Sequence, residues 1–139
     1  MKPKVSIVQC NTYNEAEVEA SLTKLLESLG ELPPFVKPGQ KVLIKPNALL
    51  GETPEHAVTT HPAVIGAVVR AVVKAVVQAG ATAWVGDSPG NAHSNVAQTM
   101  KKTGIKAAAE DNGNQLVYFQ QDGVVELASP SGNKRMPKL

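Results

Sequence analysis

Between Pro62 and Gly80, β-branched residues arrive in adjacent pairs every four residues: Val64-Ile65, Val68-Val69, Val72-Val73 and Val76-Val77, with Arg70, Lys74 and Gln78 between them. Taken singly, each favours a strand, because a branched Cβ loses rotamer freedom against the preceding helical turn. Recurrence every four residues over such a length is nevertheless helical, so the spacing predicts a helix packed hard against a sheet. Pro62 opens it at the first-turn position that has no use for an N–H, with Thr60 or His61 as cap, and Gly80 ends it. Short apolar runs flank it, at residues 41–45, halted by Pro46, and at residues 82–86. Strand, long helix, strand is the unit from which parallel sheets are built.

The rest of the chain extends this pattern. Residues 5–9 read as a buried first strand, and residues 14–29 as an amphipathic helix in which Val18, Leu22, Leu25, Leu26 and Leu29 recur at helical spacing before Gly30. Residues 31–39, with Pro33, Pro34 and Pro38, form a connection; residues 48–60, with Gly51 and Pro54, form a loop long enough to fold over a crevice. Two shorter helices are expected at residues 92–103 and 105–111, divided by Gly104. Residues 115–119 and 124–127 read as strands of a hairpin turning through Gln121-Asp122-Gly123. The expected fold is α/β, a three-layer, mainly parallel, Rossmann-like sheet with flanking helices and a C-terminal β-hairpin. Right-handed crossovers join its first three strands, and the first lies between the second and third. Residues 1–128 make a single α/β domain. Residues 129–139 are a flexible tail or the start of a further portion, and the polypeptide is expected to continue beyond Leu139, since a parallel sheet wants more strands and both faces covered.

Composition removes several function classes. A chain of 139 residues, 42% hydrophobic and 19% charged, holds a real core. Its net charge of +2 comes from scattered lysines, and with few aromatics it lacks the basic stripe or stacking platform that nucleic acid requires. The apolar tract at residues 63–79 carries Arg70 and Lys74, which a membrane interior penalises, and the first apolar run is too short for a secretory leader, so a cytoplasmic protein is expected. Cys10 is the single cysteine; alone it forms no internal disulfide and holds no iron–sulphur cluster.

In an open α/β sheet, ligands bind beyond the carboxyl ends of the strands. Here those ends carry Lys45-Pro46-Asn47 and Gly86-Asp87-Ser88-Pro89-Gly90, with Thr59-Thr60-His61 leading into the long helix. Asp87 suits a divalent metal, a base or a ligand hydroxyl; its structural alternative is a turn or cap aspartate. Gly86, Ser88 and Gly90 offer backbone N–H groups to an anion, or make a plain tight turn. Lys45 supplies a point charge for phosphate or carboxylate, and Asn47 both a donor and an acceptor. Thr60 and His61 complete the candidate ligand-binding set, His61 as ligand, proton carrier or cap. His56 and His93 have weaker claims, and Cys10, at the end of the first strand, faces the same crevice or serves as a small hydrophobe. An esterase reading of Gly86-Asp87-Ser88 with Ser88 as nucleophile fails for want of a base, since no late Asp-x-x-His occurs.

Taken together and in order, Val42-Leu43-Ile44-Lys45-Pro46-Asn47, Thr59-Thr60-His61-Pro62-Ala63-Val64, Gln78-Ala79-Gly80-Ala81 and Val85-Gly86-Asp87-Ser88-Pro89-Gly90 resemble the amino-terminal part of the domain-of-unknown-function-362 family, over residues 5–119. The resemblance implies a prokaryotic protein with a redox or iron–sulphur-associated role, since members are often fused to ferredoxin-like four-iron, four-sulphur modules. The chain departs from the family in two places. Of the usual Pro-Lys-x-Lys-x-His segment only Met136-Pro137-Lys138-Leu139 is suggestive, and the cysteine-rich module is absent. A cluster is therefore expected only in a fused or partner module, with no cofactor in this chain. Two functions follow. One is a domain binding an anionic ligand or metal at the strand ends, of undetermined reaction; the other is a non-catalytic module docking a ferredoxin-like partner. The sequence leaves the substrate, the metal and the oligomeric state open.

Overall fold

The computed structural model describes residues 3–30, 36–90, 95–119, 124–127 and 134–137. Helix α1 (Glu15–Leu29) starts where Asn14 accepts the N–H groups of Ala16 and Glu17 on its side-chain oxygen, and it stops at Gly30, whose φ is 75°. Strand β1 (Lys41–Ile44) is followed by the 48–60 loop, which contains one short 3-10 turn at Pro54–His56. The valine-rich helix α2 (Pro62–Gln78) is capped by His61, whose ring nitrogen accepts from Ala63 N–H. Strand β2 (Thr82–Val85), helices α3 (Val96–Lys102) and α4 (Ile105–Glu110), and strand β3 (Gln115–Leu116) complete the main body. Strands β4 (Val124–Leu127) and β5 (Lys134–Pro137) form a separate antiparallel pair.

The main sheet is open and all parallel, in the order β1-β2-β3, so the chain has an α/β fold with flanking helices. Register fixes which side chains share a face. Ile44, Val85 and Leu116 are aligned across the strands, and all three are buried in one apolar cluster with Ile65 and Val69 of α2, Met100 of α3, and Ile105, Ala108 and Ala109 of α4. Leu43 and Trp84 point to the other face, half-buried, where the Lys41 ammonium lies 4.4 Å from the centre of the Trp84 ring. The paired valines of α2 divide as an amphipathic helix demands: Val69 and Val76 are buried, whereas Val77 is 63% exposed. Gly104, at φ 75°, lets α4 begin against the start of α2; a Cβ there would stand 2.6 Å from Pro62 Cγ.

Four expectations need correction. Residues 5–9 are extended but form no strand, because their backbone finds no ladder partner among the described residues; Val5 and Ile7 are 83% and 91% exposed. The segment lies along α1 instead, through a Ser6–Ser28 hydroxyl contact and a Ser21 hydroxyl donated to the Gln9 carbonyl. With that strand missing, β1 pairs directly with β2 rather than across an intervening first strand. The hairpin is also displaced. β3 joins the parallel sheet beside β2, and β4 pairs with β5 from the segment expected to be a tail, while the predicted turn at residues 121–123 lies outside the described residues. Helix α3 begins at Val96, where the Asn95 side chain caps it by accepting from Gln98 N–H, and the predicted start at residue 92, with His93, falls outside the described residues.

Candidate functional site

Because β1 and β2 are parallel and in register to their last residues, Ile44 opposite Val85, the chain leaves both strands at the same end of the sheet. That brings Lys45-Pro46-Asn47 beside Gly86-Asp87-Ser88, and Gly86 N–H continues the ladder to the Ile44 carbonyl at 3.1 Å. Strand alternation turns Asp87 to the same side as Val85, the side of the apolar cluster, and its side chain is only 5% exposed. A buried carboxylate is costly unless its charge and lone pairs are matched. Both oxygens are matched here: Oδ1 lies 2.8 Å from Lys45 Nζ, and Oδ2 accepts the buried Ala48 N–H at 2.8 Å. Lys45 itself is 62% exposed at the side chain. The pair therefore holds an ammonium group at the solvent edge of the strand ends, anchored from below.

The neighbouring loop is tied to the same place. Asn47 N–H donates to the Thr60 hydroxyl at 3.0 Å, and Thr60 N–H donates to the Asn47 carbonyl at 3.1 Å, leaving the exposed Asn47 amide directed by a doubly bonded backbone. His61, the next residue, uses Nδ1 as the helix cap, 3.2 Å from Ala63 N, and its ring stacks on Tyr13 with centroids 3.8 Å apart and planes 10° from parallel. Ser88 and Gly90 are exposed, although Gly90 N–H is engaged with the Leu49 carbonyl at 3.3 Å. Gly86 serves close approach. A Cβ there would meet Val117 Cγ2 at 2.7 Å and the Val117 carbonyl at 2.9 Å. Thus Lys45, Asn47, Thr60, His61, Gly86, Asp87, Ser88 and Gly90 lie on the adjoining segments that leave β1, enter α2 and leave β2. Among the described residues the Asn47 and Ser88 side chains have no hydrogen-bond partner and the Lys45 ammonium pairs with Asp87 alone, while the backbone N–H groups of Gly86 and Gly90 are already used within the fold.

The segments Lys45-Pro46-Asn47, Thr59-Thr60-His61 and Gly86-Asp87-Ser88 meet at the carboxyl end of the sheet, whereas Gln78-Ala79-Gly80-Ala81 joins α2 to β2 at the opposite end, where Gly39 N–H donates to the Gly80 carbonyl at 2.8 Å. A family model described as "Domain of unknown function (DUF362)" matches residues 42–138. The chain belongs to the DUF362 family. That span starts later than the resemblance drawn from the motifs and runs further, through β5 to Lys138. A similar protein is a thylakoid-associated protein of Synechocystis sp., 42% identical over 89 residues, covering 64% of this chain and 26% of the relative. This DUF362 chain spans about a quarter of the length of that curated relative. No solved structure matches significantly.

The residues of this DUF362 chain do not fit an iron–sulphur cluster, which normally takes four thiolates, since Cys10 is the single thiol and donates to the Thr12 carbonyl at 3.3 Å. Among the described residues no group of three or more His, Cys, Asp or Glu side chains converges as metal ligands would. His56 points to another task. It and Lys102 both engage the Glu52 carboxylate, at 3.2 and 3.1 Å, tying the 48–60 loop to α3. The Lys102 hydrogen bond and charge, aided by His56, hold Glu52 below the usual carboxylate range. No helix among the described residues is long and apolar enough to cross a membrane. Two contributors were missed in the sequence. The Ala48 N–H is invisible to motif reading because it is backbone. Tyr13 did leave a signal, an aromatic immediately before the Asn14 cap, where a hydrophobic residue often packs back on the structure.

Proposed function

We propose that this domain binds a small anionic ligand, a phosphate or carboxylate group, at the carboxyl ends of β1 and β2. The observation that supports this is the Lys45 ammonium, exposed above a buried Asp87 that is itself fixed to Ala48 N–H. Asp87 orients the lysine and is the positioning residue. Asn47 and Ser88 supply further donors, Thr60 fixes Asn47, and His61 holds the start of α2. In the setting the family resemblance implies, the domain serves an iron–sulphur-associated redox protein whose cluster sits in a fused or partner module.

A thermal-unfolding series with phosphate, acetate and magnesium chloride tests this. A ligand at a hundredfold excess over its dissociation constant stabilises the native state by about 2.7 kcal/mol. Phosphate or acetate should raise the midpoint in the wild type and not in Lys45→Ala. A rise with magnesium alone would move the site from anion to metal. The runner-up is a docking surface for a ferredoxin-like module, favoured by the exposure of Lys45, Asn47, Ser88 and Gly90 on one rim. Asp87→Asn separates the two. A pocket loses its anion response at unchanged fold, whereas a docking surface shows no anion response in the wild type and loses partner binding on titration with a ferredoxin-like protein.

A further inference from the structure

The segment running from Thr60 into α2 is shared by two features. On one side it bonds Asn47 and so borders the candidate anion site. On the other, Val64 lines a cavity of about 330 Å³ together with Val8, Cys10, Tyr13, Leu22 and Leu25. The bridge between them is the Tyr13 ring, which stacks on His61 at 3.8 Å while forming part of the cavity wall. Aliphatic side chains of α1, α2 and the amino-terminal segment make most of the cavity wall, and residues 10–13 and Ser21 add polar groups to it. The 11–14 stretch of that wall is held firm. Asn11 N–H and the Thr12 hydroxyl both donate to the Glu17 carboxylate, and the Asn14 side chain caps the same helical turn. Apolar walls with a few fixed polar groups are the usual make-up of a small-molecule site.

We propose that the cavity and the strand-end lysine form one composite site, and that its ligand is an organic anion with an apolar body, such as an aromatic or branched aliphatic phosphate or carboxylate. This rests on the anion-site reading above and adds the chemical class of the rest of the ligand. The charged group is taken at Lys45, Asn47 and Ser88. The apolar body passes the Tyr13–His61 stack and lies among Val8, Leu22, Leu25 and Val64.

The test is a calorimetric titration of the full chain with inorganic phosphate and with phenyl phosphate, in the wild type, Lys45→Ala, Leu22→Phe and Leu25→Phe, each checked for a wild-type circular dichroism spectrum. Phenyl phosphate should bind at least tenfold more tightly than inorganic phosphate. Leu22→Phe and Leu25→Phe, by filling the cavity, should remove that preference and leave inorganic phosphate binding in place; using both keeps a fold-disrupting change from masking the result. Lys45→Ala should abolish both. Equal affinity for the two ligands overturns the composite site and leaves the anion site standing. So does a preference that survives both phenylalanine variants, or phenyl phosphate binding that survives Lys45→Ala. Failure of the wild type to bind either ligand overturns the anion site and the composite site together.

Discussion

Replacing Asp87 with alanine removes the acceptor of a fully buried N–H, because Ala48 is 0% exposed and its N–H points at Asp87 Oδ2. Leaving a buried donor unpaired costs about 1–3 kcal/mol. The ion pair with Lys45 adds little, about 0–1 kcal/mol, because the lysine side is largely in water. Asp87→Ala should therefore destabilise by about 2–3 kcal/mol, most of it from the orphaned Ala48 N–H. Asp87→Asn keeps an oxygen for Ala48 and loses the charge, so it should cost about half as much, whereas Lys45→Ala strands the buried Asp87 carboxylate without its counter-charge and should cost about 1–3 kcal/mol. Urea unfolding followed by the fluorescence of Trp84, the single tryptophan, measures all three, since Trp84 lies in β2 three residues from Asp87. The reasoning is refuted if Asp87→Ala is no less stable than Asp87→Asn, or if Lys45→Ala costs nothing.

Other expectations concern close packing and pH. Gly86→Ala places a Cβ 2.9 Å from a backbone carbonyl that cannot swing aside, so the 117–119 segment must shift, at about 1–3 kcal/mol in urea unfolding. Gly104→Ala combines positive φ with a 2.6 Å approach to Pro62 and should cost about 2 kcal/mol or more, with the loss read as a lowered urea midpoint. The Thr12 hydroxyl, followed by Asn11 N–H, holds the Glu17 carboxyl below its ordinary value of 4.5. Since the folded-state value is depressed, this contribution is fully present above the ordinary value and is lost as pH falls through the lower folded-state value. Amide signals of residues 11–13 should therefore move with acid in the wild type and stay flat in Glu17→Gln.

Legibility followed the physics of each segment. Helix α2 was readable despite its strand-forming residues because its four-residue period runs through its whole length, and caps such as Asn14, His61 and Gly30 act within a few residues. The meeting of the β1 and β2 ends was equally readable, since parallel strands in register leave the sheet together whatever their sequence. Pairing was not. Residues 5–9 have the composition of a strand, yet a strand exists only when another edge accepts its backbone, and no local signal names that edge. The same holds for β4, whose Asp122-Gly123 approach promised a turn from residues 115–119 while its partner lies on the far side in sequence, at Lys134–Pro137. Asp87 showed the limit within the site. Its residue type fits a metal ligand, a base and a cap alike, and its contacts with Lys45 and Ala48 lie outside what the sequence names.

The most direct test of the Lys45 anion site is a phosphate titration followed by nuclear magnetic resonance, reading the Lys45 side-chain Cε–Hε signal and the amides of Asn47 and Ser88 in the wild type and in Lys45→Ala. Saturable shifts of all three in the wild type, with the Asn47 and Ser88 shifts lost in Lys45→Ala, are the predicted result. Unmoved signals in the wild type, or Asn47 and Ser88 shifts that persist without the lysine, would contradict it.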